Sequence, residues 1–135
     1  MAADPQSVVR DFVAAFAAID ADAMGALLDE GVVAHITNAE GGADVIEGRD
    51  ALIERIGGVD YGAAELSIEV TNIVEPAPGQ ALAMAEVRAS APSGEKLHNF
   101  AAHLCTVSEG LITEWWMVEA LPAESDRFWA AVTAG

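Results

Sequence analysis

The segment Lys96–Glu119, KLHNFAAHLCTVSEGLITEWWMVE, limits what the chain can fold into more than any other stretch. Two long apolar-rich runs meet at Glu109-Gly110. An acidic residue followed by glycine between such runs specifies a two-residue hairpin loop, because that turn needs positive φ. The two-residue period extends upstream, so that Leu66–Val74, Gln80–Ala91, Leu97–Val107 and Leu111–Glu119 read as four strands. Their connectors, EPAPG, PSG and EG, are turn chemistry of hairpin length. Strands in tandem on such connectors make an antiparallel sheet, and one of its faces needs a cover.

The N-terminal half supplies that cover. Asp4-Pro5 marks a helix start, an N-cap oxygen followed by a proline at N1. Val8, Val9, Phe12, Val13, Phe16 and Ile19 then recur at helical spacing. Asp20-Ala21-Asp22 begins a shorter helix carrying Met24, Leu27 and Leu28 and ended by Gly31. Val32–Thr37 is a β-branched strand interrupted by His35. Asn38–Gly48 reads as loop, and Arg49–Ile56 as a third helix with Leu52, Ile53 and Ile56 inward. A helical turn, SDRFWAAV, follows the last strand. The order α-α-β-α-β-β-β-β predicts an α+β fold, a curved antiparallel sheet with three N-terminal helices on one face, as one domain over residues 1–135.

Bulk properties exclude several function classes. A chain of 135 residues, 53% hydrophobic, forms one core that buries about two-thirds of its unfolded surface. No apolar run is long enough to span a bilayer. The net charge is −16, and the six Lys and Arg residues are scattered, so no patch exists to neutralise phosphates. Nucleic acid and anionic membranes are therefore not expected partners. The N-terminus shows no export signal, and a lone cysteine, Cys105, fits a reducing, cytoplasmic setting. Cys105 itself reads as a small buried apolar side chain.

Parity sorts the polar groups on the strands. His103 shares a face with Asn99, Ala101 and Cys105, a small and polar set that suits a cavity wall, although a backbone-satisfied structural histidine is the alternative. His98 and His103 point to opposite faces, and no His-x-Glu, H-E-x-x-H or C-x-x-C spacing occurs, so neither zinc nor another metal is expected. No glycine-rich phosphate loop appears, and no cofactor is expected. Glu86 and Arg88 share a face: inside a pocket they would orient a substrate oxygen, and on the outer face they are a solvated pair. Trp115 and Trp116 point opposite ways, one as core or pocket lining and the other as a dimer contact or surface ring. Tyr61 follows Gly57-Gly58 and could edge a pocket mouth. Phe128 and Trp129 read as a lid or intersubunit plug.

Several motifs, in this order, resemble the SnoaL-like proteins of the nuclear transport factor 2-like superfamily. They are Val33-Ala34-His35 at a strand end, the G-R-D-A of Gly48–Ala51, the final hairpin around His103, Gly110, Ile112, Glu114 and Trp116, and the D-x-F-W of Asp126–Trp129. The resemblance implies a cone-shaped α+β barrel with an apolar pocket, usually as a homodimer, on which ketosteroid isomerisation, epoxide hydrolysis and polyketide cyclisation occur. It also places His35 close to the position of the isomerase-type general base. One departure is Leu121, which stands where many SnoaL-like sequences carry an aspartate; Glu119 is the candidate substitute.

These readings converge on a small cofactor-independent enzyme that binds a hydrophobic carbonyl compound and moves a proton. A neutral His35 in a dry pocket would take the proton, a core histidine bonded to a neighbouring strand being its alternative reading, and His103, with Glu119 or Tyr61, would donate to the oxyanion. Phe16, Glu86, Arg88, Asn99 and Trp116 are the expected ligand contacts. A non-catalytic binding protein with the same pocket and a structural homodimer are the alternatives.

Overall fold

The structure is a computed structural model that describes residues 4–57 and 64–134. Four helices and six strands follow in the order α1 (Pro5–Ala17), α2 (Ala21–Gly25), β1 (Leu28–Thr37), β2 (Ala43–Glu47), α3 (Arg49–Gly57), β3 (Glu65–Val74), β4 (Gln80–Ser90), β5 (Lys96–Ser108), β6 (Leu111–Glu119) and α4 (Pro122–Ala134) among the described residues. The strands form one curved, unclosed sheet in the order β2-β1-β6-β5-β4-β3. It is the α+β cone read from the sequence, with one difference. β1 pairs with β6 in parallel, so the sheet is mixed, because hairpin connectors dictate only the pairing of neighbours in sequence.

Local chemistry accounts for the elements and for the misread ones. Glu109 and Gly110 both have positive φ, 53° and 80°, as the tight β5–β6 turn requires. Asp20 caps α2 by accepting from the Ala23 amide at 3.1 Å, whereas the Asp4 carboxylate makes no capping bond. Gly31 does not end a helix; it lies inside β1, in the irregular stretch between Leu28 and Val33. β2 stands where the sequence reads as loop, because a five-residue edge strand carries too short an alternation to stand out. The C-terminal turn is a thirteen-residue helix, α4.

The inner face of the sheet is filled at one end. Val8, Val9, Phe12 and Val13 of α1 are buried against it. α1 crosses β3, β4 and β5, and the buried Ala81 and Ala83 of β4 allow the close approach. Phe12 sets its ring edge on Trp115, with centroids 4.9 Å apart. Each such fully buried large side chain contributes roughly 1.5–3 kcal/mol. At the other end α4 covers a smaller cluster, Phe128 packing with Ala89 and Leu97. The space between the two packed ends is open.

Candidate active site

A cavity of about 490 Å³ lies there, within the usual range for small-molecule sites. Its apolar wall includes Phe16, Ile36, Leu66, Ile68, Val87 and Met117. His103, Asn99 and Glu119 bring polar groups to its depth, and Glu40, Asp44, Arg55 and Asp126 stand at its more exposed rim.

His103 is 2% exposed on β5, which alternates with its odd-numbered residues inward from Leu97 to Val107. Its Nδ1 accepts the indole N–H of Trp115 at 3.1 Å. An indole nitrogen only donates, so Nδ1 is unprotonated and the proton of the neutral ring sits on Nε2. That Nε2 is buried and has no hydrogen-bond partner among the described residues. Burial pushes the His103 pKa down to about 4, so the ring is neutral at pH 7. It is thus a fixed donor rather than a base.

Glu119 is the complementary group. Trp115, Met117 and Glu119 point inward from β6, so the last carboxylate of the strand lines the cavity. Burial raises its pKa above the ordinary 4.5 and the Asp126 charge adds to this, against hydrogen bonds from Ser125 and Asn99. The Asn99 amide holds it in place: Nδ2 donates to Glu119 Oε2 at 3.2 Å, while Oδ1 accepts from the Phe100 and Leu121 amides at 2.8 and 2.9 Å. The strand end is tied to β1, since Glu119 N donates to Thr37 Oγ1 at 3.0 Å.

Other expectations are corrected. His35 faces away from the cavity, because Val32, Ala34 and Ile36 take the inner face of β1. It stacks on Trp116, centroids 3.8 Å apart, and its Nε2 meets Glu114 Oε2 at 3.2 Å. Trp116 lies on that outer face too. An extra residue, Thr113, interrupts the β5–β6 pairing between Glu114 and Ile112, which shifts the alternation so that Trp115 turns inward. Glu86 and Arg88 are also outside, where Glu86 pairs with Arg88 at 3.2 Å and with His98 at 2.8 Å. Leu121 is exposed and does not line the cavity. Tyr61 lies outside the described residues. Phe16, Asn99, His103 and Glu119 are the predicted residues that the cavity brings together.

Sequence reasoning missed the rim. Arg55 Nη2 donates to Asp44 Oδ2 at 2.8 Å, and Asn38 Nδ2 to Asp44 Oδ1 at 3.0 Å. The Arg55 bond, then the Asn38 bond, hold the Asp44 carboxyl below the usual range. Asn38 and Asp44 lie in the segment that reads as loop, and nothing local signals their meeting with α3. Asp126 is visible as the start of D-x-F-W, but its place at the rim follows only from the full length of α4.

Residues 9–115 match the SnoaL-like domain, most of the chain. The chain belongs to the SnoaL-like family. Its fold is shared by IdmH, a candidate polyketide cyclase from Streptomyces antibioticus (TM-score 0.75, 15% identity, covering 93% of this chain and 99% of that one). An M. tuberculosis LEH-like epoxide hydrolase superposes at TM-score 0.72 with 15% identity, covering 96% and 92%. An NTF2-like protein of unknown function from Burkholderia pseudomallei superposes at 0.73 with 19% identity, covering 93% and 96%. At these identities the likeness speaks for the SnoaL-like fold alone. No curated protein sequence matches.

Proposed function

We propose that this SnoaL-like protein is a cofactor-independent enzyme that binds a hydrophobic carbonyl compound in the cavity and moves a proton next to the carbonyl. The observation that carries this reading is His103, a lining residue of the cavity whose Nε2–H is buried and has no hydrogen-bond partner among the described residues. A buried donor without a partner costs about 1–3 kcal/mol, and a ligand oxygen would relieve that cost. In this reading His103 Nε2–H donates to the carbonyl oxygen as negative charge develops there. Glu119, its pKa raised by burial, takes the α-proton and returns it at the product carbon. Arg88, Glu86, Trp116 and His35 have no part, being on the other face. The test is solvent-deuterium uptake at the α-carbon of a panel of aromatic and alicyclic ketones, followed by mass spectrometry. Uptake above the buffer rate is expected for at least one member. Ligands that raise the melting temperature without any uptake would instead support the reading as a non-catalytic binding protein.

The same proposal includes a homodimer formed through the outer sheet face. Met84, Phe100, Trp116 and Val118 are exposed there as large apolar side chains on adjoining strands, and such a patch marks an interaction surface. Trp116→Glu is expected to convert a dimer to a monomer in sedimentation velocity. A wild-type chain that sediments as a monomer at all concentrations removes this part.

A further inference from the structure

The proposed carbonyl site does not say what the rest of its ligand carries, but the rim does. Four carboxylates, Glu40, Asp44, Glu119 and Asp126, line the cavity, against one guanidinium, Arg55. Arg55 is already engaged by Asp44, and Asp44 by Asn38, so no free cation among the described lining residues would receive an anionic group. Glu40 and Asp126 are the exposed carboxylates of that lining. The chain's charge of −16 adds a field of the same sign. A ligand carboxylate or phosphate would enter against all of these charges. A ligand ammonium would be drawn in by them and held at the rim.

The acidic rim does not stand alone. His103, a buried residue of the same lining whose Nε2–H has no partner among the described residues, calls for an acceptor atom on the ligand. We infer that the natural ligand is an apolar carbonyl compound carrying a basic amine, with its oxygen on His103 and its ammonium group drawn to the exposed carboxylates Glu40 and Asp126. This deepens the proposed function and rests on it for the position of the carbonyl.

Three probes of one shape test it: benzylacetone and its para-aminomethyl and para-carboxy derivatives, titrated calorimetrically into the wild-type protein. The ammonium probe is expected to bind tightest and the carboxylate probe weakest, with about tenfold or more between them, the effect of one screened charge contact. Raising the salt from about 0.01 M to about 1 M cuts the Debye length from roughly 30 Å to roughly 3 Å and should narrow that gap. The double variant Glu40→Gln, Asp126→Asn should narrow it likewise at low salt. Equal or reversed ranking of the two charged probes, with the neutral probe still bound, overturns the inference and leaves the carbonyl site standing. If none of the three binds, the cavity reading fails and the inference falls with it. Deuterium uptake is not needed for any of these outcomes, so a protein that binds without turnover still decides the matter.

Discussion

Glu119→Gln is expected to slow α-proton exchange by about 10²–10⁴-fold, the usual effect of removing a positioned general base. The same substitution should raise the melting temperature at neutral pH. The direction follows from the raised pKa of Glu119. Below the ordinary value of 4.5 the carboxyl is protonated in both folded and unfolded chains, and wild type and variant should melt alike. As pH rises, the unfolded chain releases this proton first while the folded chain keeps it, so wild-type stability falls. The loss is complete once pH passes the folded pKa. Glutamine has no proton to release and can still accept from Asn99 and Ser125, so the variant is spared that loss. Lost turnover together with a stability gain that vanishes in acid is the signature of a base kept in a dry site against its own solvation. A variant that keeps wild-type exchange removes Glu119 from the mechanism. His35→Ala is the contrasting control: it should leave exchange intact, because that ring lies across the sheet, stacked on Trp116.

The fold was legible because its strongest signals are local. A turn that needs two positive φ values and flanking strands of thirteen and nine residues leave few alternatives for the C-terminal half. The inward set Asn99, Ala101, His103 and Cys105 follows from parity along an uninterrupted strand, and it is the set observed. Trp116 was lost where parity failed, since the extra residue at Thr113 is invisible in a run of apolar and β-branched side chains. His35 was recoverable, because the apolar Val32, Ala34 and Ile36 claim the inner face of β1 and leave the odd positions outside. The resemblance to isomerase-type members drew attention to a histidine that alternation had already placed elsewhere. Asp44 and Arg55 had no such cue. They are eleven residues apart on a short edge strand and a helix, and only the packing of α3 on β1 and β2 brings them together. Groups held by regular elements were readable from the sequence, and groups held by tertiary contact were not.

Trp115→Ala should be the most damaging single truncation in the chain, at about 3–5 kcal/mol for a fully buried tryptophan. The ring is 0% exposed and is contacted from three sides: by the Phe12 edge at 4.9 Å, by Phe16 at 5.9 Å and by the near-parallel His103 ring, which accepts its N–H, at 5.9 Å. Its removal would extend a cavity that is already open, with little nearby mass to collapse into it. For a domain stabilised by roughly 5–15 kcal/mol this is a large fraction, and the melting temperature should fall by roughly 10 °C or more. Trp115→Phe separates packing from hydrogen bonding. It keeps most of the bulk but removes the N–H that fixes His103 as the Nε2–H tautomer. Nitrogen-15 NMR of the imidazole should show a single Nε2–H tautomer in the wild-type chain and a mixture in the Phe variant. The exchange rate should fall with the fraction of rings whose Nε2 no longer carries the proton, while melting shifts less than in Trp115→Ala. A wild-type ring protonated at Nδ1, or a Phe variant with unchanged tautomer and rate, would sever the link from the core tryptophan to the donor in the cavity. The oxyanion role of His103 would then have to be abandoned.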